Sequence, residues 1–206
     1  MNLVKEVCVE SFQESISAVA AGATRIELCE NLYFGGTTPS YGTIKQVINK
    51  LLVPVMVMIR PRGGDFFYTE DEFEIMRHDI KICHELGANG VVFGLLKHDN
   101  TVDVERTSEL VYLARPMKVT FHKAIDSSAN ILLSVAQIKN IGIDRILTSG
   151  GKPTAIEGNE TLQKMIKIAG DQVKIIVAGK VTWENYEDIQ KLFPSVELHG
   201  RRLVKF

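Results

Sequence analysis

The chain is expected to fold as an α/β protein of the (β/α)8 type, a TIM barrel lacking a full eighth helix. Two observations lead there. Eight short β-branched runs alternate with amphipathic stretches along all 206 residues. Strands joined by crossover helices of this length lie parallel. Eight parallel strands also suit an open doubly wound sheet, and the charge pattern within the runs makes the choice. In the first run Val7 and Val9 alternate with Glu6 and Cys8; in the second, Ile26 and Leu28 alternate with Glu27 and Cys29. Central strands of an open sheet are covered by helices on both faces and read apolar throughout, whereas a barrel strand needs only its outer face apolar. No linker-like stretch divides the runs, so residues 1–206 are read as one domain.

The elements follow in order. The first run is Val4–Val9. Ser11 and Glu14 then stand at capping-box spacing, ahead of Phe12, Ile16, Val19 and Ala20 at helical spacing, and Gly22 suits a left-handed stop. The second run, Arg25–Cys29, leads through Gly35-Gly36-Thr37-Thr38-Pro39-Ser40 into a helix capped by Ser40 and patterned by Ile44, Val47, Ile48 and Leu51. The third run, Val53–Ile59, is followed by Arg60-Pro61-Arg62-Gly63-Gly64-Asp65 and a second box, Thr69 with Glu72. The helix after it places Cys83 at packing distance from Ile80 and Leu86 and stops at Gly87. Gly90–Phe93, Lys118–His122, Asp144–Thr148, Val173–Ala178 and Val196–His199 complete the eight, with Gly142 and Gly170 as helix stops. Seven residues follow His199, about 10 Å if wholly helical, too little for an eighth helix.

Charge narrows the function. With 24 Lys+Arg against 25 Asp+Glu the net charge is −1, so neither nucleic acid nor an anionic membrane is attracted in bulk and any anion site must be local. Lys5, Glu6 and Glu10 interrupt any signal-peptide apolar region, and no run of about 18 apolar residues occurs. A cytoplasmic location is expected. Cys8, Cys29 and Cys83 are an odd set, read as reduced thiols. Without a CxxC or CxH cluster, structural zinc is disfavoured.

If the apolar set packs on helices, the complementary set lines the lumen: Glu6, Cys8, Glu27, Cys29, Met56, Met58, Arg60, Thr120, His122, Glu197 and His199. Cys8 and Cys29 fall near the C-terminal ends of adjacent strands, where barrel enzymes keep their chemistry. Two thiolates in neighbouring layers would seat a soft metal such as Cu(I), and Met56 and Met58 would extend it. Buried cysteine and methionine also serve as plain packing, the expected role of Cys83. The polar set offers a Glu6–Glu27–Arg60 network, which is structural or functional on equal terms. Around it stand Arg62 and Asp65 in the third loop, His122 with Asp126, and His199, a kit for proton transfer and anion clamping. The Gly35-Gly36 and Ser149-Gly150-Gly151 turns are either anion cups or only turns.

Taken together these residues resemble the CutC copper-homeostasis family. The stretches that carry the likeness are Glu6-Val7-Cys8-Val9, Gly22 to Cys29, Gly35 to Ser40, Met58 to Phe66, Val92-Phe93-Gly94, Thr120 to Asp126 and Leu147 to Gly151, in family order. The resemblance implies a cytoplasmic TIM barrel associated with copper tolerance, Cu(I) on the cysteines matching Cys8 and Cys29, and self-association. It implies no established reaction. Where the family carries a Gly-Gly-Gly turn after strand seven, this chain reads Ala178-Gly179-Lys180, so Lys180 either meets an anion as a point charge or stays in solvent.

The expected function is therefore copper homeostasis, with Cu(I) held by Cys8 and Cys29 at the barrel mouth. The rival is an enzyme on a small anionic, sugar-phosphate-like substrate, with Arg60, Arg62, Asp65, Asp126 and Lys180 as binding residues and Glu27, His122 and His199 as candidates for proton transfer. A third class is an interaction protein whose link to copper is indirect. A homodimer is expected too, because a missing eighth helix would leave Val7, Val9 and Leu198 in a wet groove that a second copy would cover, together with Leu203, Val204 and Phe206.

Overall fold

The structure, a computed structural model, describes residues 3–206. Its eight strands form a closed parallel barrel in sequence order, β1 pairing with β8. They are β1 (Lys5–Val9), β2 (Arg25–Leu28), β3 (Val55–Met58), β4 (Gly90–Phe93), β5 (Lys118–Phe121), β6 (Arg145–Thr148), β7 (Lys174–Val177) and β8 (Glu197–His199). Between them run α1 (Phe12–Ala20), α2 (Tyr41–Lys50), α3 (Glu70–Glu85), α4 (Val104–Ala114), α5 (Ile131–Asn140), α6 (Asn159–Ala169) and α7 (Tyr186–Leu192). Every run read from the sequence contains its strand, and all but Gly90–Phe93 are shortened where pairing stops.

The caps act as their chemistry requires. Thr69 and Glu72 form a full capping box, each side chain satisfying the other's amide. Ser11 accepts the Glu14 amide, but the Glu14 carboxylate reaches past it to the amide of Glu10. Gly22, Gly87 and Gly142 have positive φ, which lets the chain leave each helix without a Cβ clash.

Packing divides the apolar residues into the two layers that the alternation implies. The large cluster between strands and helices includes Val7, Val9, Ile26, Leu28, Val55, Val57, Phe93 and Phe121, each such side chain contributing about 1.5–3 kcal/mol by leaving water. The lumen holds two smaller groups, Cys29 with Met56, Met58 and Val92, and Leu147 with Ile176 and Ala178. Gly90 makes room for the first: a Cβ there would lie 2.2 Å from Met56 Cε and 2.5 Å from the Lys118 carbonyl oxygen. Met56 and Met58 pack with Cys29 and Val92, and Met58 also lines the barrel mouth. Cys83 is buried on α3, where burial pushes its thiol up to about 12.

One expectation is corrected at β8. No helix follows it among the described residues, yet Val7, Val9 and Leu198 are wholly buried within the single chain. The tail closes the gap itself. Thr182 bridges to Arg202, the Trp183 amide donates to the Arg202 carbonyl, and Leu203 and Val204 pack into the main cluster, while Phe206 stays about half exposed. The groove on which the dimer was argued is therefore filled by the chain's own residues.

Candidate functional site

The site is built from the bottom of the lumen upward. Register sets Glu6 opposite Arg25 on β2 and opposite His199 on β8, and one step higher sets Cys8 opposite Glu27. Glu6 is fully buried and ion-paired with Arg25, which also reaches Glu197; Glu197 in turn meets Arg145. Burial opposes the Glu6 charge, but Arg25, and after it His199, hold its carboxyl down at about 2. The expected ion pair of Arg60 with Glu6 or Glu27 does not form. Arg25, which shares the inward parity of Glu27, takes that place.

Above this charged floor, His199 Nδ1 lies 2.9 Å from Glu6 Oε1 and its Nε2 lies 3.7 Å from Glu27 Oε2. Burial opposes an imidazolium, yet Glu27, Cys8 and Glu6 hold the His199 pKa well above its ordinary value. Glu27 is driven up instead, first by burial and also by the Glu6 charge. The ligating atoms of Cys8, Glu27 and His199 all fall within 4.8 Å of one another, the one such group of three or more among the described residues. Cys29 stands beside this group. Its thiol donates to Glu27 Oε2 at 3.5 Å, and burial, with Glu27 and Cys8, pushes its pKa well up.

Cys8, Glu27 and His199 floor a cavity of about 140 Å3 at the C-terminal mouth, walled by Leu32, Met58, Phe66, His122, Lys123 and Leu147. His122 accepts the Ala124 amide on Nδ1, leaving the ring proton on Nε2, which has no partner. Burial, reinforced by the Arg60 charge, pushes its pKa down to about 3, so the ring is neutral. His122 and His199 thus share one cavity, as expected, with their pKa values shifted in opposite directions. A larger hollow of about 830 Å3 beside α3 and α4 contains none of the residues selected from the sequence and is lined by surface ion pairs such as Arg77–Glu109 and Arg106–Glu70.

The remaining candidates, Lys180 apart, are engaged within the protein. Arg60 donates to the carbonyls of Phe34, Gly36 and Gly64, tying the loop after β2 to the loop after β3. Gly35 lies so close to Arg60 Nη1 that a Cβ would sit 2.9 Å away. Arg62 pairs with Asp65 and Glu72 and organises its own loop. Asp126 occupies the cup formed by the amides of Ser149 and Gly151, and also binds Thr148 and Lys123. That cup is filled by a side-chain carboxylate. Lys180 is exposed in a left-handed conformation, outside the cavity wall. Lys123, which sequence reading passed over, lines the mouth; its place directly after His122 at the end of β5 was the available signal.

The fold is a TIM barrel whose C-terminal mouth gathers a thiol, a carboxylate and an imidazole over a buried charge network. The family model of CutC matches residues 3–203, and the chain belongs to the CutC family. The copper homeostasis protein cutC homolog of Mus musculus is 40% identical, over 94% of this chain and 71% of that protein. A CutC family protein of Treponema denticola is 40% identical, over 96% and 80%. Among solved structures, a copper homeostasis protein CutC from Streptococcus agalactiae superposes with a TM-score of 0.92 at 34% identity, covering 98% of this chain and all of that one. Phosphonopyruvate hydrolase with oxalate and Mg matches at 13% identity and a TM-score of 0.68, over 96% of this chain and 75% of its own, a likeness of fold alone. No helix among the described residues is long and apolar enough to cross a membrane.

Proposed function

We propose that this protein takes part in copper homeostasis and holds Cu(I) at the barrel mouth, with Cys8 and Cys29 as thiolate ligands. The convergence of Cys8, Glu27 and His199 within 4.8 Å carries the reading. The thiolate and imidazole of that group are soft to borderline donors that suit Cu(I) better than hard cations, and Cys29 beside it would bring a second sulfur. The names of the relatives at about 40% identity point the same way. All three cysteines are free thiols, which supports action in a reducing compartment such as the cytoplasm.

Anaerobic competition against a chromophoric Cu(I) chelator tests this. The protein should take up about one Cu(I), with affinity reduced in Cys8→Ser and in Cys29→Ser and unchanged in Cys83→Ser, since removing one arm of a two-sulfur site weakens it. Equal affinity in the Cys8→Ser/Cys29→Ser double variant would remove the site.

A further inference from the structure

Two of the residues that line the mouth cavity each carry a buried polar atom with nothing to bond. His122 is 4% exposed, and its Nε2 proton, fixed there by the Ala124 amide on Nδ1, has no acceptor. Glu27 is 3% exposed; its Oε2 accepts from Cys29, while Oε1 has no donor. Buried polar groups are nearly always paired, so two orphans on one cavity mark a ligand's place. They also specify it: one atom requires an acceptor and the other a donor.

The rest of the wall adds charge and size. Lys123 lines the rim, with two of its three ammonium donors on Asp126 and Ser149, leaving one for a ligand. Leu32, Met58, Phe66 and Leu147 form the apolar remainder. The volume of about 140 Å3 is well below that of sites for drug-sized molecules, which admits only a compound of a few carbons.

We propose that the mouth binds a short hydroxycarboxylate, its carboxylate on His122 Nε2 and Lys123 and its hydroxyl donating to Glu27 Oε1. The inference goes beyond the copper reading, since it rests on the unpaired atoms and not on the sulfurs. An oxo acid of the same size would turn a carbonyl lone pair toward Glu27, and an unsubstituted acid would leave it unpaired. A site built to receive a hydroxyl discriminates strongly against ligands that lack one.

Saturation-transfer NMR and calorimetry on the full, metal-free chain, with lactate, pyruvate and propionate as probes, test the proposal. Lactate should bind in the millimolar range, with pyruvate and propionate weaker by about fivefold or more. His122→Leu should weaken lactate by about tenfold or more, whereas His122→Gln, which keeps an N–H donor, should retain part of the affinity. Glu27→Gln, which can turn an N–H into the cavity, should reverse the preference toward pyruvate. Thermal melts establish that each variant is folded, and if His122→Leu is not, the His122→Gln and Glu27→Gln results decide. Absence of lactate binding at tens of millimolar, equal affinity for the three acids, or a Glu27→Gln variant with unaltered preference would overturn the proposal. Because the protein is metal-free, none of these outcomes bears on Cu(I) binding.

Discussion

Replacing Arg25 by Met should destabilise the barrel severely, by an amount that falls as the pH is lowered. Arg25 is the principal cation on Glu6, whose side chain is about 1% exposed. Removing it leaves a carboxylate in a closed lumen with only His199 beside it. A carboxyl held at about 2 instead of 4.5 is favoured by the fold by about 3 kcal/mol. Breaking a buried pair on one side costs about 3–5 kcal/mol, which agrees. For a chain of this length that is a fall of about 6–20 °C in Tm. Because the folded pKa of Glu6 lies below its unfolded value, its contribution is complete above about pH 4.5 and disappears as the pH falls through about 2. The gap between wild type and variant should therefore narrow from pH 6 toward pH 3.5. Urea unfolding followed by circular dichroism across that range measures it. Adding Glu6→Gln to Arg25→Met should recover much of the loss, since the uncompensated charge is gone. A loss below about 1 kcal/mol, a pH-independent gap, or a double variant worse than the single would refute the reasoning.

Two further outcomes follow from the packing. Gly90→Ala should cost about 1–3 kcal/mol or more in chemical denaturation, because the new Cβ meets the Lys118 carbonyl as well as Met56; trimming Met56 to Ala should not restore stability. Thr69→Ala should cost about 1 kcal/mol by the same measurement, with Cu(I) uptake unchanged, since it removes one side of the capping box at the start of α3.

The strands, their inward residues and the helix caps were legible because each depends on chain-local physics. Alternation along a strand has a period of two, so Glu6 and Cys8, or Glu27 and Cys29, must face one way whatever their neighbours do. Parity applied without exception would also have placed Arg25 and Arg145 inside, and so found the cations that neutralise Glu6 and Glu197. Partnership is another matter. Arg60 shares the inward parity, but the loop after β2 presents three carbonyls that take its guanidinium before any lumen carboxylate can.

Composition and pattern, then, determined that this chain is a parallel barrel with cysteines, glutamates and histidines toward its mouth. The tertiary structure alone decided which of them meet. Barrel stagger set Cys8 level with Glu27, leaving Cys29 two residues, about 6.6 Å, farther along β2 and its extension. It likewise brought Glu6 to His199 across 193 positions of sequence. Stagger is a property of eight strands closing on one another, fixed by the packing of the whole ring, and no single strand encodes it.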